Sequence, residues 1–127
     1  REIHILHKKL DSGADFFLTQ PVFDVSAALE FLKRYEDQHG PLDVPVLVGI
    51  LPLVTDRHAR FLHNEVPGIA IPEKIQKRMT AAGEDGGREG ALIAKELILE
   101  LREDFQGVYF MPAFNRFDMV AEIIDQI

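Results

Sequence analysis

The sequence predicts an α/β fold of parallel strands and alternating helices, on three observations. Short apolar runs at residues 15–20, 45–52 and 107–112 are separated by stretches whose apolar residues recur at three- and four-residue spacing. That alternation of periods builds right-handed parallel crossovers. The middle run, Pro45-Val-Leu-Val-Gly-Ile-Leu-Pro52, is apolar at nearly every position, as a strand covered on both faces must be. Each run closes on a proline, at Gln20-Pro21, Leu51-Pro52 and Met111-Pro112, and carboxyl ends of parallel strands are where such folds build their sites.

Taken in order, Ile3, Leu6 and Leu10 mark a helix over residues 2–12, stopped by Ser12-Gly13. The run Asp15-Phe-Phe-Leu-Thr-Gln20 is too short for a helix, is rich in β-preferring types and is closed by Pro21, so it is the first strand. Asp24 caps a helix with a buried stripe of Ala28, Phe31, Leu32 and Tyr35, ended by Gly40-Pro41. After the second strand, Thr55 or Asp56 caps a short helix carrying Ala59, Phe61 and Leu62, and Asn64-Glu-Val-Pro-Gly68 turns out of it. Pro72 opens a helix through Ile75 and Met79 that stops at Gly83. Glu84-Asp-Gly-Gly87 reads as a flexible polar link, followed by a long helix over residues 91–101 with Ala94, Leu97, Ile98 and Leu101 on its apolar face. The third strand precedes a last amphipathic helix at residues 118–127.

The chain has 127 residues, 46% of them hydrophobic, which is one domain's worth of core. Twenty-one acidic against 14 basic side chains give a net charge of −7, the wrong sign for a nucleic-acid or anionic-membrane binder. With no cysteine there is no disulfide, thiolate metal cluster or cysteine nucleophile, which fits a cytoplasmic protein. No apolar run is long enough for a bilayer span and no signal pattern opens the chain, although a start at Arg1 inside a helical register suggests a piece of something longer. A doubly wound domain usually has about five or more strands and a complete (β/α)8 barrel about 250 residues, so the three strands read as consecutive staves, roughly half of a barrel.

No Gly-Lys-Ser/Thr loop, Gly-x-Ser-x-Gly elbow or His-Glu-x-x-His motif exists, and the glycines at 83–90 follow a helix, not a strand, so they make no phosphate loop. His4 with His7, and His58 with His63, lack a carboxylate at fixed ligand spacing, and no metal is expected. Lys8-Lys9 either complements the carboxyl end of the first helix or contacts a phosphate. Gln20, a primary amide at a strand's carboxyl end, suits the edge of a pterin or flavin, or else is a turn residue before Pro21. Arg116, just after the third strand, grips a ligand carboxylate or a surface acid.

As a linked set, Lys9-Leu-Asp-Ser-Gly-Ala-Asp-Phe-Phe-Leu-Thr-Gln-Pro-Val-Phe-Asp24, Val44-Pro-Val-Leu-Val-Gly-Ile-Leu-Pro52, Phe61-Leu-His-Asn-Glu-Val-Pro-Gly-Ile69 and Asn115-Arg116 resemble the methylenetetrahydrofolate reductase family. The likeness runs in order over the last three strands of that family's eight-stranded flavin barrel, and is strongest to the version fused behind a homocysteine methyltransferase domain. It implies an oxidoreductase of methionine biosynthesis in which NADH or NADPH reduces FAD and 5,10-methylenetetrahydrofolate is then reduced to 5-methyltetrahydrofolate. It implies folate contacts at Gln20, Arg116 and Phe114, and FAD contacts at Glu2, Lys8 and Lys9. It also places His58 and Leu62 at the substrate site, His58 where the family's short bacterial members would have a substrate-contacting glutamine and Leu62 where they would have a stacking ring. The family's catalytic acid lies upstream, so the segment alone is expected to be inactive and to pair with another copy or with its missing half. The alternative is a small non-enzymatic α/β binding or regulatory module. Strand ends carrying Gln20, Pro52 and Pro112 instead of acids argue against a phosphoacceptor domain.

Overall fold

The computed structural model describes residues 2–127. Helix α1 (Glu2–Asp11) leads into strand β1 (Phe17–Pro21), and helix α2 (Val25–His39) returns the chain to strand β2 (Val46–Ile50). Helices α3 (Asp56–Glu65), α4 (Glu73–Ala82) and α5 (Gly86–Leu101) fill the next crossover before strand β3 (Gly107–Phe110) and helix α6 (Phe117–Gln126). The strands lie in the order β1-β2-β3, all parallel, as in adjacent staves of a barrel wall. Among the described residues no helix is long and apolar enough to cross a membrane.

The caps are those the sequence indicated. Asp24 accepts the Ala27 N–H at 3.2 Å at the start of α2, and the Thr55 hydroxyl accepts the His58 N–H at 2.9 Å at the start of α3. Pro72 precedes the first turn of α4. The apolar middle run divides its residues by the strand period of two. Val46, Val48 and Ile50 are buried, and Val48 and Ile50 join the core with Leu53, Ile71, Met79, Leu101 and Ile123; on the alternate positions Leu47 is half-buried and Gly49 is buried, opposite Gly107 and Tyr109 of β3. Of the stripe expected on α2, only Tyr35 is fully buried; Ala28, Phe31 and Leu32 are half-buried. Phe61 of α3 is 57% exposed while Ala59 and Leu62 pack inward.

One expectation is overturned. The segment expected to be a flexible link forms a 3-10 turn (Gly83–Asp85) that runs directly into α5, which begins at Gly86, five residues earlier than the apolar pattern indicates. The glycines serve packing: a Cβ on Gly90 would stand 1.7 Å from the Leu53 carbonyl oxygen, and one on Gly86 would stand 2.5 Å from that of Val54. The first turns of α5 thus rest directly on the backbone leaving β2, a contact that only residues without a Cβ allow. Arg78 of α4 clamps the same helix, donating from Nε to Glu89 at 2.7 Å and through Nη1 and Nη2 to Glu96 at 3.1 and 2.8 Å.

Gly90→Ala is expected to lower stability by about 3 kcal/mol or more, because the Leu53 backbone cannot retreat. Gly87→Ala, whose nearest heavy atom would be the Arg116 guanidinium at 3.8 Å, should be neutral or stabilising by up to about 1 kcal/mol through helix propensity. Urea denaturation of the two variants checks the contrast.

Candidate functional site

Parallel pairing brings all three carboxyl strand ends to one edge of the sheet, with Gln20 at the end of β1, His58 in the first turn of α3 after β2, and Phe114 and Arg116 in the turn between β3 and α6. At the end of β1 the register slips: Leu18 pairs with Leu47, and the next pair is Pro21 with Gly49. This bulge leaves Gln20 exposed. The backbone around it is tied down from β2 and, beyond it, from β3. The Gly49 N–H donates to Thr19 Oγ1 at 3.0 Å, that hydroxyl donates to the Gln20 carbonyl at 2.7 Å, and the Val22 N–H donates to the Gly49 carbonyl at 3.0 Å. From β3 the Tyr109 hydroxyl reaches across Gly49 and donates to the Thr19 carbonyl. A side chain on Gly49 would close that passage, since its Cβ would stand 3.0 Å from the Tyr109 hydroxyl and 2.8 Å from Met111 Cε.

Gln20 lines a hollow of about 580 Å³ with a mostly apolar wall that includes Leu18, Val22, Phe31 and Val48, with Asp24 and Lys9 also lining it. His58, in the first turn of α3, is 9% exposed and its Nδ1 accepts the Val54 N–H at 3.2 Å. Burial pushes its pKa below the ordinary imidazole value, so the ring is neutral with its remaining proton on Nε2. The ring meets Phe114 edge-on, with centroids 5.1 Å apart and planes at 65°. Phe114 is 71% exposed, and it and Asn115 hold left-handed backbone at φ 54° and 57°. Such strain is costly for bulky residues and concentrates at ligand sites.

Arg116 donates from Nε and Nη2 to Asp118 at 3.0 and 3.1 Å, a bidentate pair that holds the Asp118 carboxyl below the usual carboxylate range. Its guanidinium lies beside Gly87, outside the hollow that Gln20 lines, although both residues belong to the same rim. Leu62 is not brought to the rim: it is 7% exposed and packed in the core, and the exposed ring beside it is Phe61. Lys8 and Lys9, in the last turn of α1, border an open depression with Ile5, Ser12, Phe16 and Phe17. The Glu2 side chain lies outside the described residues.

Three other imidazoles, of His7, His39 and His63, make contacts within the fold. His63 Nδ1 accepts the Ile71 N–H at 3.0 Å, and His7 stacks on His39 at 3.8 Å while contacting the Tyr35 hydroxyl at 3.2 Å. Among the described residues no group of three His, Cys, Asp or Glu side chains is placed to hold a metal ion.

The family model for methylenetetrahydrofolate reductase matches residues 1–127. The chain belongs to that family. Its relatives include methylenetetrahydrofolate reductase 2 of Saccharomyces cerevisiae, 31% identical over 85 residues, covering 66% of this chain and 14% of the yeast protein. The 5,10-methylenetetrahydrofolate reductase of Escherichia coli is 26% identical over 117 residues, covering 90% of this chain and 38% of the bacterial protein. The chain therefore spans well under half the length of these reductases. Among solved structures, an uncharacterized protein from Clostridium thermocellum that binds two copies of 5-methyl-5,6,7,8-tetrahydrofolic acid superposes with a TM-score of 0.72 at 22% identity, over 98% of this chain and 46% of that one. That likeness shows the fold.

Within this reductase-family rim, the sequence reading missed Thr19, Gly49 and Tyr109. The available signal was Gly49, a glycine inside an otherwise apolar strand, which marks a close approach.

His58 supplies a test by acid. Folding lowers its pKa, so the unfolded chain takes up the proton first; its contribution is complete above the unfolded imidazole value of about 6.5 and declines as pH falls toward the folded value. His58→Asn, whose amide oxygen can take the Val54 N–H, should flatten the loss of urea stability between about pH 7.5 and about pH 5.5.

Proposed function

We propose that these residues form three βα units of a flavin-dependent barrel that reduces 5,10-methylenetetrahydrofolate to 5-methyltetrahydrofolate with electrons from NADH or NADPH. The observation that carries this reading is the exposed amide of Gln20 at the carboxyl rim, beside an apolar hollow and on a chain of the reductase family. A pterin edge presents neighbouring donors and acceptors, and one amide can answer both. Phe114 offers an exposed ring face for the flat heterocycle or its aryl extension, and His58 holds that ring from behind without bringing a charge. Arg116 grips the carboxylate tail by exchanging Asp118 for it, a swap between two bidentate partners. Leu62 contributes from the core, by holding α3 and hence His58 in place.

The residues of α1 suit FAD in kind. Two ammonium groups answer a pyrophosphate, and Ile5, Phe16 and Phe17 give an apolar border for a planar ring. Glu2 is proposed as a further contact on the same helix. When bound, the flavin supplies hydride transfer; the chain's own residues bind, orient and exclude water. No acid that would serve as the proton donor is proposed in this segment, which alone is inactive. A complete barrel needs roughly five more strands. Both edge strands, and Leu18 at 55% exposure, are the surfaces those strands or a second copy would cover.

In the full-length reductase, Gln20→Ala should raise the KM for methylenetetrahydrofolate by about ten-fold, as a lost bidentate contact would, and leave flavin reduction by NAD(P)H intact. Lys8→Ala with Lys9→Ala should lower retained flavin. A folded full-length protein without flavin absorbance overturns the reading. The 127 residues alone should elute in size-exclusion chromatography as a species larger than a monomer; a well-folded monomer counts against the covered edges.

A further inference from the structure

The turn that leaves α3 approaches Gln20 more closely than any packing need explains. Val66-Pro67-Gly68-Ile69 is closed by the Ile69 N–H on the Val66 carbonyl at 3.3 Å, with proline second and glycine third at φ 85°. This is the arrangement of a type II turn. Gly68 is itself exposed, so burial gives no reason for a missing side chain. What it faces is the Gln20 amide: a Cβ on Gly68 would stand 2.5 Å from Gln20 Oε1, 3.4 Å from Cδ and 3.5 Å from Nε2. The other glycines with positive φ, at 13, 40 and 83, meet nothing within 4 Å of such a Cβ.

We infer that Gly68 is a positioning residue for Gln20: the turn after α3 is an abutment that the amide meets with its oxygen end foremost, fixing which of its two polar ends faces a bound ring. Gln20 is an exposed side chain with three rotatable bonds, and the bulge fixes its backbone alone. Of the amide's two polar ends, Oε1 is the one nearest the space beside Gly68 and Nε2 lies about 1 Å farther from it, so the bare glycine accommodates a rotamer that a Cβ would exclude. The donor end thus addresses a carbonyl or a ring nitrogen of the ligand. A side chain at residue 68 would push the amide off this seat and make that choice again for each ligand bound. The inference rests on the assignment of Gln20 to the folate ring only for its functional consequence; the seating itself is a packing claim.

The test uses four variants of the full-length protein: Gly68→Ala, Gly40→Ala, Gln20→Ala, and Gly68→Ala with Gln20→Ala. Gly40 shares the positive φ (81°) but has open space around it, so it reports backbone strain without the clash. Gly68→Ala should lower the melting temperature more than Gly40→Ala, and truncating Gln20 should remove that excess. In steady-state kinetics, Gly68→Ala should raise the folate KM by roughly three- to ten-fold, the worth of one misaligned hydrogen bond, with flavin reduction by NAD(P)H unchanged and no further effect in the Gln20→Ala background. Should Gly68→Ala fail to fold, the double variant should fold. Additive melting effects, or a double variant that stays unfolded, overturn the seating. A folate KM indifferent to Gln20→Ala overturns the ring assignment and leaves the seating to the melting data.

Discussion

The rim depends on one crossing point, where the backbone of Gly49 lets three strands touch. Its N–H holds the Thr19 hydroxyl, its carbonyl receives the Val22 N–H, and its bare Cα leaves room for the Tyr109 hydroxyl to reach Thr19. A bulge in an edge strand normally leaves polar groups unpaired. In this chain they are paired from the neighbouring strands, and so a mobile edge becomes a fixed platform for an amide.

Behind that platform the scaffold uses the same physical device again. Gly86 and Gly90 bring α5 onto the backbone that leaves β2, and Arg78 ties α4 to α5 through Glu89 and Glu96. The segment from β2 to α5 is therefore held by backbone contact as much as by side-chain burial. It carries Thr55 and His58, and His58 in turn meets the strained Phe114. The rim's ring, amide and guanidinium are each supported by a different element: His58 of α3, the crossing at Gly49, and Asp118 of α6.

Much of this was legible in the chain. Period and punctuation located the three strands and the six α-helices but not the two 3-10 turns, because Asp24, Thr55, Pro72 and Gly40 act locally and their chemistry is the same in any fold. The run at 83–90 was misread because its glycines were weighed as backbone freedom, while their purpose was contact with residues 53 and 54, which are far off in sequence. Gln20 and Arg116 could be named from position and residue type, and the likeness to reductases raised both. Tyr109, Thr19 and the seat at Gly68 could not, since each acts through a partner that only pairing register brings near. Leu62 was expected at the substrate site from the resemblance alone, but α3 turns it into the core and shows Phe61 outward.

The bond from Tyr109 to Thr19 joins residues 90 apart in the chain, and the one from Val46 to Gln106 spans 60. Contacts of such sequence separation carry a large loop-closure entropy and form after local helices have been made. Ribosomal synthesis delivers β1 with its amide long before the strand whose hydroxyl steadies it. The rim is thus completed only when β3 and the turn after it, with Phe114 and Arg116, have followed β1 by some ninety residues.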